Sequence, residues 1–307
     1  MIDVRLRSTI PDTELDAKKG KIVTPGDYNL VLTGPARLRK PDGSLLAVYL
    51  PGVLAEPMAD AYPVLHTIRM LTDNRGLASG TPRQQRGDQK RTRTRKIASA
   101  TIGAVDPGPS TTRAAGRLPV CRLTSWTGQH ADEWAELRPL FQAIGGHFRE
   151  QVPDRWRVQQ QWADRTPEDW VIPGTPFTTI TVNNTYSTGV HTDAGDLEAG
   201  FSTLAVARRG DYQGGHLVLA RYRVAVDMRD GDLLLFDAHE WHGNQAITCA
   251  HAEGQLAKAC PEGCERISLV SYFRTKVAGC GTAEEEAQRA GQLADQRAGV
   301  GSLVTPS

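Results

Sequence analysis

Hydrophobic and polar positions repeat with two different periods along the chain. From Ala131 to Arg149, "ADEWAELRPLFQAIGGHFR", the apolar residues Trp134, Leu137, Phe141, Ile144 and Phe148 recur every three or four positions. That spacing puts them on one face of a helix. Pro139 and the Gly145–Gly146 pair argue against one straight rod. From Thr175 the period shortens. "TPFTTITVNNTYST", "FSTLAVARRG", "GGHLVLARYRVAVDM", "GDLLLFDA" and "RISLVSYFRTKV" all read as strands, separated by turns carrying Gly-Asp or Gly-Gly. Several short strands at regular spacing predict a barrel or sandwich. Upstream, "YNLVLTG" and "SLLAVYLPG" flank Pro41 to Gly43 and predict a hairpin, and Ala55 to Leu71 predicts a helix. Residues 72 to 119 are rich in Gly, Pro, Thr and Arg and read as a long loop or arm. "TAEEEAQRAGQLADQRA" predicts a last helix, followed by disorder, and no internal repeat is present. The pattern is α+β with a mainly β core. It divides into an N-terminal extension with hairpin and basic arm (1–114), a β core (115–277) and a C-terminal tail (278–307).

Composition changes this picture little. A chain of 307 residues with 39% hydrophobic and 23% charged residues has the make-up of a globular protein with a sizeable core. There is no apolar run of membrane-spanning length, and the first residues lack the apolar core of a secretory signal, so the expected location is intracellular. A net charge of +1 excludes a polyanion binder by bulk charge. One segment stands out: Arg83 to Lys96, "RQQRGDQKRTRTRK", has seven basic residues against one acid, Asp88. Such a run binds phosphate locally. Five cysteines, an odd number, argue against a disulfide framework and fit a reducing compartment. Cys249, His251, Cys260 and Cys264 form a candidate structural Zn(2+) site, with Cys280 as a rival ligand.

The candidate chemistry begins at Gly189 to Asp196, "GVHTDAGD". His191 and Asp193 are two apart, so in an extended strand both point to one side. Two histidines and one carboxylate that leave coordination positions open suit Fe(II) in an oxygenase. The third ligand has to come from a later strand, and "GDLLLFDAHEWHGNQAI" offers His239 and His242. An H-x-D pair alone also fits a surface turn with solvated side chains. The order of the following elements adds weight. A Gly-Asp turn, an apolar "LLLF" strand and a histidine before "GNQAI" make the return strand of a jelly roll. Arg266 follows in "ERISLVSYF", and a guanidinium there is a forked partner for a carboxylate.

"HTD … HGNQAI … RISLVSY" resembles the iron- and 2-oxoglutarate-dependent dioxygenases built on a double-stranded β-helix. Within that superfamily, "GVHTDAGDLEAGFSTLAVARRGDYQGGHLVL" and "RISLVSY" look most like the TET/J-binding-protein (JBP) family, whose members hydroxylate the methyl group of 5-methylpyrimidines in DNA. The resemblance covers Thr175 to Lys276 clearly and the upstream part loosely. It implies a double-stranded β-helix (jelly roll) with flanking helices and an N-terminal extension. It implies Fe(2+) held by His191, Asp193 and His242. The family's distal ligand precedes a short polar turn and a strand, which favours His242 and leaves His239 at the rim. Arg266 would grip the distal carboxylate of 2-oxoglutarate. Ser268, on the same side of the strand, would add a hydrogen bond. Asn184 and Tyr186 resemble an N-x-Y pair that some relatives use for the cosubstrate.

The same resemblance implies a substrate. A methyl group inside duplex DNA cannot reach a buried iron, so the base has to be flipped out. Tyr272 resembles the aromatic residue that stacks on the flipped base. Arg274 stands where relatives place a base-contacting polar residue, often histidine, and is a departure from them. Asp196 stands where relatives place Asp or Asn against the base. A carboxylate accepts from the exocyclic amine of cytosine and, unless protonated, opposes the 4-oxo group of thymine. The expected reaction is therefore 5-methylcytosine to 5-hydroxymethylcytosine, with the basic arm Arg83 to Lys96 on phosphates and the protein a monomer. The alternatives are a thymine hydroxylase of the J-base type, a small-molecule or protein hydroxylase, and a jelly-roll binding module without catalysis.

Overall fold

Residues 232–236, "DLLLF", are buried at every position. Successive strand side chains alternate between faces, so a strand apolar throughout has to lie between two covered layers. In the computed structural model, which describes residues 1–68, 71–72, 97–107, 118–250 and 263–302, this is its place. Leu233 and Leu235 face helices, while Leu234 and Phe236 face a second sheet.

The strands are β1 (Ile2–Arg5), β2 (Leu30–Leu32), β3 (Ala36–Arg39), β4 (Leu45–Leu50), β5 (Leu71–Thr72), β6 (Ile97–Val105), β7 (Arg122–Leu123) and β8 (Thr179–Asn184). They continue with β9 (Ser202–Arg209), β10 (Tyr212–Gly214), β11 (Leu217–Leu219), β12 (Val224–Val226), β13 (Asp232–Phe236), β14 (His242–Asn244), β15 (Ile247–Cys249) and β16 (Glu265–Tyr272). Among the described residues the large sheet runs β1-β3-β4-β13-β9-β16-β8-β6-β5, with β7 beside β6. A smaller sheet runs β14-β11-β12-β2, and β10 pairs with β15.

The inner faces of the two sheets meet through Leu204, Val206, Leu234 and Phe236 on one side and Leu217, Leu219, Val224 and Val226 on the other. The outer face of the large sheet is covered by helices Ala55–Thr67 and Ala131–Gln151. Leu137, Phe141, Ile144 and Phe148 of the long helix pack on Ile180, Val182, Leu233 and Ile267. Pro139 lies inside that helix without ending it. Mixed sheets with helices on one face, in this order, form an α+β jelly roll.

Several expectations need correction. The division at residue 114 does not separate two packed units. β1, β3, β4 and β6 belong to the large sheet and β2 to the smaller one. Residues 97–105, read as part of a loop, are strand β6 paired along β8. Composition hid it: "IASATIGAV" is made of small residues, and Gly103 has φ +86°. A Cβ there would stand 2.6 Å from the Thr178 carbonyl oxygen, so the small residue is required by close approach. The hairpin does turn near Asp42-Gly43, but its first arm is β3, and "YNLVLTG" supplies β2, parallel to β12.

The cysteine expectation fails for one pair, since Cys121 and Cys280 form a disulfide. That removes Cys280 from any zinc site. Cys264 is buried and donates to the Asp211 carbonyl oxygen. His251, Cys260 and the Cys249 side chain lie outside the described residues, as does the basic arm Arg83 to Lys96. The predicted last helix is present as Ala283–Ser302. No helix among the described residues is long and apolar enough to cross a membrane.

Candidate active site

The two sheets bring His191 and His242 together as a hydrogen-bonded backbone pair. His191 N–H donates to His242 O at 2.8 Å, and His242 N–H donates to His191 O at 2.9 Å. Two glycines permit the approach. A Cβ on Gly243 would lie 3.0 Å from Val190 backbone atoms, and one on Gly189 would lie 2.5 Å from the Gly20 carbonyl. The N-terminal segment therefore builds this site too: Gly20 N–H donates to Val190 O at 2.8 Å, one residue before His191. Asp193 is tied to the β13–β14 connection by its N–H to Ala238 O, 2.9 Å.

The ligand atoms of His191, Asp193 and His242 all lie within 4.8 Å of one another. His191 Nε2 is 3.3 Å from Asp193 Oδ1, and His242 Nε2 is 3.9 Å from Asp193 Oδ2. Each ring donates its Nδ1–H to a backbone carbonyl, His191 to Gly189 at 2.8 Å and His242 to Glu240 at 2.9 Å. Those bonds fix the tautomer and leave both Nε2 lone pairs facing Asp193, the arrangement of a histidine metal ligand. Burial, with the nearby His191, pushes His242 down to about 4, so it is neutral at pH 7 as a ligand must be. Two imidazoles and one carboxylate, all from one side, fit Fe(II) with open positions. His239 is not part of this set. Its Nδ1 is 3.3 Å from Asp237 Oδ1.

The cluster opens into a cavity of about 460 Å³. On β16, Ile267 and Leu269 face the helices, so Ser268, Val270 and Tyr272 face the cavity. Arg266 is on that same inner face by alternation, 3% exposed and outside the cavity's lining. Its Nη2 makes no hydrogen bond within the described residues. A buried guanidinium without an acid is unfavourable until an anion joins it. The fit to a carboxylate-bearing cosubstrate therefore rests on this orphaned donor.

The substrate candidates also share the wall. Asp196, Tyr272 and Arg274 line the cavity, and Asp196 bridges to Arg274 through the backbone. Asp196 Oδ2 accepts from Ser202 Oγ at 2.8 Å. Burial and repulsion from Asp193 push the Asp196 carboxyl up to about 7. Arg274 Nε is engaged by Asp106, which itself sits in the segment read as a loop. Tyr186 lines the cavity, whereas Asn184 does not. Asn184 Nδ2 donates to Glu265 Oε1 at 2.6 Å on the helix side. In strand β8 the inward positions are Thr181 and Asn183, alternating with Ile180 and Val182 on the helix side, so Asn183 and not Asn184 faces the cavity. Lys19 at the cavity wall and Phe236, edge-on to His242 at 5.2 Å, carried no sequence signal.

Residues 111–275 match the Tet_JBP family, described as the oxygenase domain of the 2OGFeDO superfamily. Thymine dioxygenase JBP1 of Trypanosoma brucei brucei is 34% identical over 169 residues, 55% of this chain and 19% of that protein. Thymine dioxygenase JBP1 of Leishmania braziliensis is 32% identical over 154 residues, 50% of this chain and 18% of that protein. The chain thus spans about a fifth of the length of these curated relatives. The fold is similar to that of a solved structure described as NgTET1 in complex with 5mC DNA. The TM-score is 0.56 and the identity 14%, covering 94% of this chain and all of that one. A jelly roll with this His-Asp-His cluster and a family match over more than half its length place the chain in the TET/JBP family of 2-oxoglutarate- and iron-dependent oxygenase domains.

Proposed function

We propose that the chain is an Fe(II)- and 2-oxoglutarate-dependent dioxygenase that hydroxylates the 5-methyl group of a pyrimidine in DNA, and that the base is 5-methylcytosine. His191, Asp193 and His242 would hold the iron, and Arg266 with Ser268 the distal carboxylate of 2-oxoglutarate. Iron with this cosubstrate supplies oxidising power: one methyl C–H becomes C–OH while 2-oxoglutarate and oxygen give succinate and carbon dioxide. The protein's own part is to position and to exclude water. A cavity of about 460 Å³ is large enough for a cosubstrate and one flipped base. Tyr272 offers a ring face for stacking.

The observation that carries this reading is that one cavity unites the His-Asp-His cluster with Ser268, Tyr272 and Asp196. Asp196 supports cytosine in its ionised form, which accepts from the exocyclic amine and opposes the 4-oxo group of thymine; with the carboxyl pushed up to about 7, its protonated fraction donates to that oxygen instead. Arg274 is neutralised by Asp106 and is less available to the base. Thymine is the second reading, favoured by the names of the relatives aligned with this half of the chain. The test is incubation with Fe(II), ascorbate, 2-oxoglutarate and duplex DNA containing both bases, followed by digestion and mass measurement of the nucleosides. An oxygen gained on methylcytosine alone supports the proposal. Gain on thymine alone overturns the base assignment. Turnover of 2-oxoglutarate with neither base changed overturns the DNA reading.

A further inference from the structure

Beside Arg266 lies a second buried polar group. Tyr212 is 3% exposed, and its hydroxyl oxygen interacts with the Arg266 guanidinium, while the hydroxyl proton meets no acceptor among the described residues. Arg266 Nη2 likewise makes no well-formed hydrogen bond among them. Their packing is set by "YQGG". Gly214 and Gly215 have φ of +78° and +73°, and a Cβ on Gly215 would stand 3.2 Å from Arg266 Cδ. The backbone of β10 can therefore lie directly on the Arg266 stem.

Tyr212 is also held in place. The Arg208 guanidinium carbon lies 4.0 Å from the Tyr212 ring centroid, and Arg208 Nη2 donates to the Tyr212 carbonyl at 2.7 Å. Arg266 and Arg208 both face this corner, and so do two acids, Asp227 and Asp230. Asp227 is shared between His216 Nε2 at 3.4 Å and Arg229 at 3.2 Å, and Asp230 is held by Arg209 at 2.7 Å and by the Arg208 backbone N–H, so both acids are engaged elsewhere. Burial pushes the Tyr212 hydroxyl above its ordinary range, so it is a donor at neutral pH. Two buried donors, one of them a guanidinium nitrogen that no acid engages, describe a seat for one carboxylate, whose two oxygens can each take a donor.

We propose that Tyr212 is a further binding residue, besides Arg266 and Ser268, for the distal carboxylate of 2-oxoglutarate, its hydroxyl serving one oxygen while Arg266 Nη2 serves the other. This rests on the cosubstrate reading above. Arg208 is then a positioning residue, acting through the ring it covers.

The test compares two 2-oxo acids, 2-oxoglutarate and pyruvate, which differ by the distal carboxylate. Their dissociation constants are measured by calorimetry with Fe(II) in the absence of oxygen, for the wild-type protein and for Tyr212→Phe. Loss of one hydrogen bond to a charged group is expected to weaken 2-oxoglutarate about tenfold or more and leave pyruvate unchanged. The melting temperature without ligand should change little, because the hydroxyl proton deleted has no acceptor among the described residues. Equal weakening of both acids with a lower melting temperature would assign Tyr212 to the fold and overturn the proposal. Full retention of the wild-type preference for 2-oxoglutarate in Tyr212→Phe would overturn the Tyr212 role alone. Wild-type protein that does not prefer 2-oxoglutarate to pyruvate would overturn the cosubstrate reading and this proposal together.

Discussion

His239 and His242 lie three residues apart, yet only His242 turns its Nε2 toward Asp193. The sequence offered both, and the resemblance preferred one. The geometry explains the difference: His242 is paired to His191 through the backbone, while His239 is drawn to Asp237. His242→Ala is expected to abolish stoichiometric iron binding. His239→Ala should lower affinity by no more than the ~10–100-fold typical of a supporting neighbour. Metal content after equilibrium dialysis distinguishes the two. Comparable iron loss in both variants would contradict the ligand set. At this scale the legible residues were those with rare chemistry at short spacing, His191 and Asp193. Asn184 was misplaced because a single step along a strand reverses the face, and only the pairing of Ile180 and Val182 with the helices fixes it.

Between elements, the site depends on how closely backbones meet. Gly189 touches Gly20, and the atoms a new Cβ would strike are backbone atoms that cannot rotate away. Gly189→Ala is expected to destabilise by about 1–3 kcal/mol through overpacking, and to weaken iron binding by moving His191. Thermal melting and iron titration read the two effects; an unshifted melting curve would refute the close contact. The connection between β13 and β14 is braced differently. Lys40 Nζ lies 2.8 Å from Asp237 and 2.9 Å from Glu240, joining the N-terminal hairpin to the segment before His242. Burial raises the Asp237 carboxyl, but hydrogen bonds from His239 and Lys40 outweigh it and hold the group well below the usual carboxylate range. A depressed folded value stabilises the protein above the ordinary carboxylate pKa, and that stability is lost as pH falls through the folded value. Asp237→Asn should therefore cost about 1.5–3 kcal/mol at pH 7, with the gap to wild type narrowing in acid. A gap independent of pH would exclude the charge as its source. The loop's apolar neighbours were predictable from "LLLF"; its cross-chain brace was not.

The whole molecule is closed by contacts far apart in sequence. Cys121 and Cys280 are 159 residues apart, and their disulfide holds the start of the C-terminal helix against the jelly roll. Trp170 Nε1 donates to Gly281 O at 2.7 Å, and Cys121 N–H donates to the buried Glu286 carboxylate at 2.8 Å in the same corner. Constraining so long a loop in the unfolded chain predicts a loss of about 2–5 kcal/mol on reduction. Melting with and without reductant should show the drop, absent in Cys121→Ser. By itself the sequence determined the strand-rich second half, the long helix, and His191 and Asp193 with a later histidine as the candidate metal cluster. These depend on side-chain period and on chemistry that few residue types supply. Only the tertiary structure decided that strands β1 to β6 of the N-terminal part complete both sheets, that a segment of small residues is strand β6, that Asn183 rather than Asn184 faces the cavity, and that Tyr212 lies against Arg266. Each of these depends on which distant backbone lies alongside, and pairing across more than a hundred residues leaves no local period to read.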